Sequence, residues 1–287
     1  MLDNRLAWHE SDVTIACCQY APRVGDRAGN LEKSLQMIRA AAQSGARLIV
    51  LPELCSSGYV FNSREEAYQL SETVPEGDTI QAWTQIAREL NVYVVGGICE
   101  RDQALLYNSA VFVGPQGHLG TFRKLHLWYE EKLFFEPGNL GLPVFHTPMG
   151  RIGLLICYDI WFPEAFRRYA LQGVDLVCVC TNWVPMPAQQ PEDLPLAIQL
   201  CMSNAHVNGL FVAAADRVGI ERNQPFLGRS VIVGPNGLPL AGPAGFDTEE
   251  IILAECNLVQ SRRAKTFNDL NHILHDRRED IYGDFNI

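Results

Sequence analysis

Apolar residues along this chain come in short runs, and their spacing switches repeatedly between continuous and helical. VTIACCQY (13–20) is a continuous apolar run of strand length. From Asn30 to about Ser44 the apolar positions Leu31, Leu35 and Ile38 fall on one helical face, and Gly45 ends the segment. RLIVLPE (47–53) predicts a second strand, stopped by Pro52. Asp78, with Gln81 three residues on, predicts the N-cap and capping box of a helix to about Leu90. NVYVVGGICE (91–100) and LLYNSAVFVGPQG (105–117) follow as strands, the second ending in a turn. RIGLLICYD (151–159) predicts a strand, and Pro163 opens a helix to about Leu171 that Gly173 closes. DLVCVCTNW (175–183) is the next strand, and Pro195 to about Val207 is helical. GLFVAAADRVG, GRSVIVGPNG and EEIILAECNL complete the strands, so the fold class is α/β.

No Gly/Ser/Pro-rich linker divides the pattern, which predicts a single domain over 1–287. Two stretches echo each other: SAVFVGPQG (109–117) with SVIVGPNG (230–237), and GARLIVLPE with GVDLVCVCTNW. Either two sheets are related by pseudo-symmetry, or strand–Gly–Pro–x–Gly is simply common turn chemistry; the pattern alone leaves both open. From about Phe267 the chain is polar with apolar anchors at Ile273, Leu274, Ile281, Tyr282 and Phe285. A solvated tail needs no such anchors, so 267–287 is expected to be an arm packed on a partner subunit.

Composition narrows the function classes. The chain has 287 residues, 47% hydrophobic and 20% charged, with a formal net charge of −10. That balance, with no dense Lys/Arg block, opposes nucleic acid and anionic membranes. The N-terminus MLDNRLAWHESD has no apolar core of a signal peptide, and no run reaches transmembrane length. Nine cysteines, an odd number, suit free thiols in a reducing cytoplasm. Cys178 and Cys180 share one face of a strand, but no His or further Cys stands at ligand spacing, so they read as small core residues and no metal is expected.

Three apolar runs end abruptly on reactive side chains: Glu53 after LIVLP, Lys124 after GTFR and Cys157 after GLLI. Taken blindly, any one of nine cysteines is more often structural than catalytic. Cys157, however, falls at the carboxyl end of a buried strand, where sites of α/β sheets collect. It also precedes a helix start, whose exposed N–H groups favour thiolate. A thiol needs a base. His126, His146 and His206 are available but lie in no recognisable setting, whereas Glu53 stands at the edge of the core, where a carboxylate is costly unless paired or functional. Taken singly, Glu53 reads as a solvent-facing loop residue and Lys124 as a solvated one. The apolar and aromatic alternation of RKLHLWYEEK makes burial of Lys124 beside an anion plausible. Spacing leaves open whether Glu130, Glu131 or Lys132 is the inward residue there.

Together these segments are far more specific. LPELCSSGY, FRKLHLWYEEKLFFEPG and GLLICYDIWFPE closely resemble the three signature blocks of the nitrilase superfamily of carbon–nitrogen hydrolases, and the resemblance runs nearly end to end. It implies an α-β-β-α sandwich of two mixed sheets that dimerises through one helical layer into an αββα–αββα core. It also implies a Glu53–Lys124–Cys157 triad with Glu131 as a second glutamate, and no metal or organic cofactor. The expected partners are a small amide or nitrile substrate and a second copy of the chain.

Which branch is a finer question. Nitrilases proper typically read Cys-Trp-Glu, whereas Cys157-Tyr158-Asp159 looks more like amidases and N-carbamoyl hydrolases. The block around Trp161 resembles carbamoylputrescine-type amidases and small-substrate archaeal members alike. No carboxylate clamp stands out among Arg101, Arg123 and Arg217. The pocket is expected to draw on Tyr59 and Phe61 after Glu53, the Tyr158 backbone N–H, and Asn182 and Trp183 after the strand that follows Cys157. Packing explains Trp183 equally well. The expectation is a cysteine hydrolase of amides or N-carbamoyl amines. A nitrilase is the alternative, and a non-catalytic binding member of the same fold is the second.

Overall fold

A computed structural model describes residues 12–187 and 193–282. The N-terminal segment through Ser11 and the anchor Phe285 lie outside the described residues. The strands are β1 (Val13–Gln19), β2 (Leu48–Val50), β3 (Tyr93–Asp102), β4 (Leu105–Gly114), β5 (Gly117–Arg123), β6 (Val144–Thr147), β7 (Gly150–Ile156), β8 (Leu176–Cys180), β9 (Phe211–Ala215), β10 (Ile220–Glu221), β11 (Gln224–Pro225), β12 (Val231–Val233), β13 (Pro239–Ala241) and β14 (Glu250–Cys256). The helices are α1 (Arg27–Gln43), α2 (Arg64–Leu70), α3 (Asp78–Leu90), α4 (Glu131–Phe134), α5 (Pro163–Leu171), α6 (Leu196–Asn208), α7 (Gln260–Arg263) and α8 (Glu279–Tyr282), with a 3₁₀ turn at Cys157–Trp161.

Two six-stranded mixed sheets share one plan: β14-β1-β2-β3-β4-β5 and β13-β12-β9-β8-β7-β6. In each, three parallel strands (β1, β2, β3 or β7, β8, β9) are flanked by an antiparallel strand on one side and an antiparallel pair on the other. The two sequence echoes fall on equivalent elements, β4 with β12 and β2 with β8, which is the pseudo-symmetric alternative.

The period of two along β1 builds the layers. Ile15 and Cys17 join the core between the sheets, whereas Ala16 and Cys18 pack outward with Ile38 of α1 and Trp83 of α3. On the second sheet, α5 and α6 bury Phe166, Tyr169, Ile198 and Cys201. The result is an α-β-β-α sandwich.

Local chemistry shifts several boundaries. Helix α1 starts earlier than expected, because Asp26 caps it by accepting from the Gly29 N–H. Asp78 is not the N-cap of α3; Gly77 holds that position, and the buried Glu72 carboxylate accepts from the Thr79 N–H at 2.8 Å instead. Helix α2, absent from the sequence reading, is capped by Ser63, whose Oγ accepts from the Glu66 N–H, while the Glu66 carboxylate accepts from the Asn62 N–H. β7 ends at Ile156 rather than running to Asp159, so Cys157 opens the following turn. In the C-terminal segment Leu274 packs against the core and Ile273 is half-buried, while Ile281 and Tyr282 are exposed.

Candidate active site

The carboxyl ends of β2, β5, β7 and β8 meet where the two sheets face each other, and the three reactive side chains arrive there beside Thr181 and Asn182. The Glu53 N–H donates to the Thr181 carbonyl at 3.4 Å, and Asn182 Nδ2 donates to the Glu53 carbonyl at 3.0 Å, so β2 and β8 are tied at this point. The chain turns at Leu54 with φ 47°, tight against β3. A Cβ on Gly97 would stand 2.4 Å from the Leu54 nitrogen and 2.5 Å from the Glu53 Cα, so only glycine admits this approach.

Glu53 is fully buried. Its Oε1 accepts from Lys124 Nζ at 2.6 Å and from Asn108 Nδ2 at 2.7 Å, while its Oε2 has no hydrogen-bond partner among the described residues. Lys124 Nζ also donates to Glu131 Oε1 at 2.7 Å, and that oxygen accepts from the Tyr59 hydroxyl at 2.7 Å. Glu131 Oε2 accepts from the Trp128 N–H at 3.0 Å. Of the three inward candidates, Glu131 is buried and Glu130 and Lys132 are exposed. Lys124 is fixed through its backbone as well: its N–H donates to the Asn108 carbonyl and its carbonyl accepts from the Gly138 N–H, each at 2.8 Å.

Burial pushes the Glu53 carboxyl up to about 7, against the lowering pull of Lys124. Lys124 is held cationic: burial lowers its pKa, but Glu131 and Glu53 raise it further and prevail. Two carboxylates and one ammonium leave the buried cluster with one surplus negative charge when both acids are ionised.

Cys157 follows β7 in the left-handed region, at φ 44°, a conformation costing a non-glycine residue about 1–3 kcal/mol unless its surroundings over-determine it. The resting thiol is not a thiolate favoured by a helix end, as the sequence suggested. Helix α5 begins six residues later, and burial, then the Glu53 charge, push the thiol pKa well up. The other eight cysteines are buried in the core or beneath it and unpaired, Cys178 and Cys180 among them.

Beside the thiol, Trp128, Tyr158, Trp161, Trp183, Val184 and Met186 wall a narrow, mostly apolar cleft that Asn182 also lines. Tyr158 packs edge-on against Trp128 at 4.9 Å and Phe162 at 5.2 Å. The Asn182 Nδ2 is committed to Glu53, which leaves its buried Oδ1 unpartnered. Trp183 is buried, with its N–H on Asp216 and its indole N–H unpartnered. Tyr59 is bound to Glu131 rather than free, and Phe61 packs with Phe134 and Phe135.

The remaining sequence candidates are placed elsewhere. Arg123 pairs with Glu100 and Asp102, Arg217 with Glu221, and Arg101 lies over Tyr68. His126 pairs with Asp159 and stacks on Phe162. Asn108, which holds both Glu53 and Lys124, was not singled out from the sequence. Its signal was a buried amide inside the otherwise apolar strand LLYNSAV.

A thiol, a buried carboxylate and a fixed ammonium thus meet on an α-β-β-α sandwich. The family model described as carbon-nitrogen hydrolase matches residues 14–266, and the chain belongs to that family, within the nitrilase superfamily. The chain is 42% identical to a nitrilase from Pyrococcus abyssi over 94% of this chain and 99% of that one. It is 32% identical to an N-carbamoylputrescine amidase from Solanum lycopersicum over 94% of this chain and 93% of that one. The structure of an amidase from Nesterenkonia sp. superposes with a TM-score of 0.77 at 26% identity, covering 96% of each chain. A mutant of that amidase carries the acetamide moiety of fluoroacetamide covalently added at its active-site cysteine (TM-score 0.76, 26% identity, 96% and 97% covered).

Proposed function

We propose that this chain is a cysteine hydrolase that releases ammonia from a small amide or N-carbamoyl amine through a thioester on Cys157. The observation that carries the reading is the unpartnered Glu53 Oε2, buried beside a thiol whose pKa burial and the Glu53 charge both raise. Glu53 Oε2 takes the thiol proton as Cys157 Sγ attacks the carbonyl carbon, and a carboxyl with pKa near 7 is poised to hold and return a proton at neutral pH. Two of the three N–H donors of Lys124 are engaged by Glu53 and Glu131, which leaves one for the developing oxyanion. The Tyr158 N–H is the second donor there. Protonation by Glu53 lets ammonia leave, and Glu53 then deprotonates the water that hydrolyses the thioester. Glu131 holds Lys124 in place. The covalent adduct at the cysteine of the Nesterenkonia amidase supports the nucleophile, and the apolar cleft suits a small neutral substrate.

A small nitrile is the second reading, favoured by the 42% identity to the Pyrococcus nitrilase. In either reading, residues 1–287 form one domain that pairs through one helical layer, with 267–287 as the arm. The exposed Phe267, Leu270, Ile281 and Tyr282 support that pairing. Ammonia release is measured from a panel of short amides, matched nitriles and N-carbamoyl amines, with Cys157→Ala alongside. Cys157-dependent release from amides or carbamoyl compounds is expected. Release from nitriles at comparable rates moves the chain to the second reading, and release undiminished in Cys157→Ala sinks both.

A further inference from the structure

The nucleophile and the ammonium come from different sheets, and the chain around each is irregular. Lys124 opens a segment without regular structure that runs to α4, and Cys157 opens a 3₁₀ turn at positive φ. Something must set the distance between them. The backbone bonds at Lys124 fix that residue to β4 and to Gly138, and thus to its own sheet. The Glu53–Lys124 pair does the same, because both partners also belong to the first sheet. None of these contacts reaches the cysteine turn.

One fully buried carboxylate does. Asp159 lies in the same turn as Cys157. Its Oδ2 accepts from the N–H of Ile156, the residue before the cysteine, at 3.1 Å. Its Oδ1 accepts from the His126 N–H at 3.0 Å and pairs with His126 Nδ1 at 2.8 Å. His126 stands two residues after Lys124. Its ring lies flat on Phe162, with centroids 3.5 Å apart and planes 8° apart, and Phe162 follows the cysteine turn. Both faces of the link therefore join the lysine segment to the cysteine turn, one by hydrogen bonds and one by stacking.

The geometry points to Asp159 and His126 as a positioning pair that holds Cys157 in register with Lys124 and Glu53. This rests on the reading of Cys157 as the nucleophile. Neither residue contacts the reacting atoms. Asp159 closes the turn that keeps Cys157 in its left-handed conformation, and His126 carries that constraint across to the lysine segment.

The test uses the whole protein carrying His126→Ala, His126→Asn or Asp159→Ala, with folding checked by near-UV circular dichroism. His126 is about one-third exposed on its side chain, so its variants carry the test if Asp159→Ala fails to fold. The rate of Cys157 carbamidomethylation by iodoacetamide, read by peptide mass spectrometry, requires no turnover. His126→Ala is expected to slow it at least about tenfold and to lower kcat about 10²-fold with KM nearly unchanged, the effect of a misplacement near 1 Å. His126→Asn, whose amide reaches the Nδ1 position, is expected to restore most of both. Alkylation by His126→Ala within twofold of wild type overturns the proposal. So does a loss in His126→Ala that His126→Asn leaves unrepaired, or a change confined to KM. If wild type releases no ammonia from any substrate, the reading of function fails, while the alkylation rates still decide the positioning role.

Discussion

The ends of β2 and β8 are equivalent places in two sheets of one plan, yet they carry opposite chemistry. After β2 the chain places Pro52 and Glu53; after β8 it places Thr181, Asn182 and Trp183. The first sheet supplies every charge of the site: Glu53, Lys124 and, just beyond, Glu131. The second supplies the thiol, Asn182 and most of the aromatic wall. The contrast shows how a buried charge cluster can exist at all. Glu53, Lys124 and Glu131 satisfy one another from the first sheet and the segment after it, so each buried ion has a partner of opposite charge. The thiol sits in the apolar half, where burial keeps it protonated at rest. In the proposed reaction the two halves meet at the Glu53 Oε2, which has no hydrogen-bond partner among the described residues.

Cys157→Ala removes the second sheet's contribution while leaving the charge cluster intact. Turnover is expected to fall at least about 10⁴-fold, as for other nucleophiles acting within a unit. Thermal unfolding should stay near wild type. Cys178→Ala, deep in β8, is expected to do the reverse, costing about 1 kcal/mol of stability with activity kept. Steady-state kinetics and melting curves on the pair check both.

Glu53→Gln removes the proposed base from the first sheet, and kcat is expected to drop about 10³-fold. In wild type the rate should rise with pH through about 7, as Glu53 ionises. Stability runs the other way. The folded carboxyl has the higher pKa, so the folded state binds the extra proton between about 4.5 and about 7. This group's effect therefore lowers stability as pH rises across that window. Melting temperatures against pH for wild type and Glu53→Gln should differ in slope there and run parallel elsewhere; equal slopes break the assignment.

Asn108→Ala leaves the charges in place but removes the amide on Glu53 Oε1. A loss of about 10-fold in kcat is expected, together with about 1–3 kcal/mol of stability from the buried group left unsatisfied. Chemical denaturation beside kinetics separates the two. The smallest effect belongs to the wall: Trp183→Phe is expected to shift KM by about threefold with kcat nearly unchanged, the scale of a small apolar change in a pocket. A collapse of kcat in that variant would show that the second sheet carries more of the chemistry than the thiol and Asn182.

Much of this protein was readable before any coordinates. Strand-length apolar runs ending on Glu53, Lys124 and Cys157 were visible because a strand core and its boundary are local properties of the pattern. The echo between GARLIVLPE and GVDLVCVCTNW was visible for the same reason, though only the matching strand orders separated pseudo-symmetry from ordinary turn chemistry. Local pattern also misled: Asp78 reads as a cap, but Glu72, seven residues before Thr79, holds that helix's Thr79 N–H instead. Glu131 could not be told from Glu130 and Lys132, since the segment has no period and inwardness follows from where Lys124 and Tyr59 lie. Asn108 lies 55 residues from Glu53, and Asp159 lies 33 from His126. The kinds of groups at the strand ends were written in the sequence. Which oxygen meets which donor, and which stays free, was decided only by the tertiary packing, because a hydrogen bond is set by distance and direction in space.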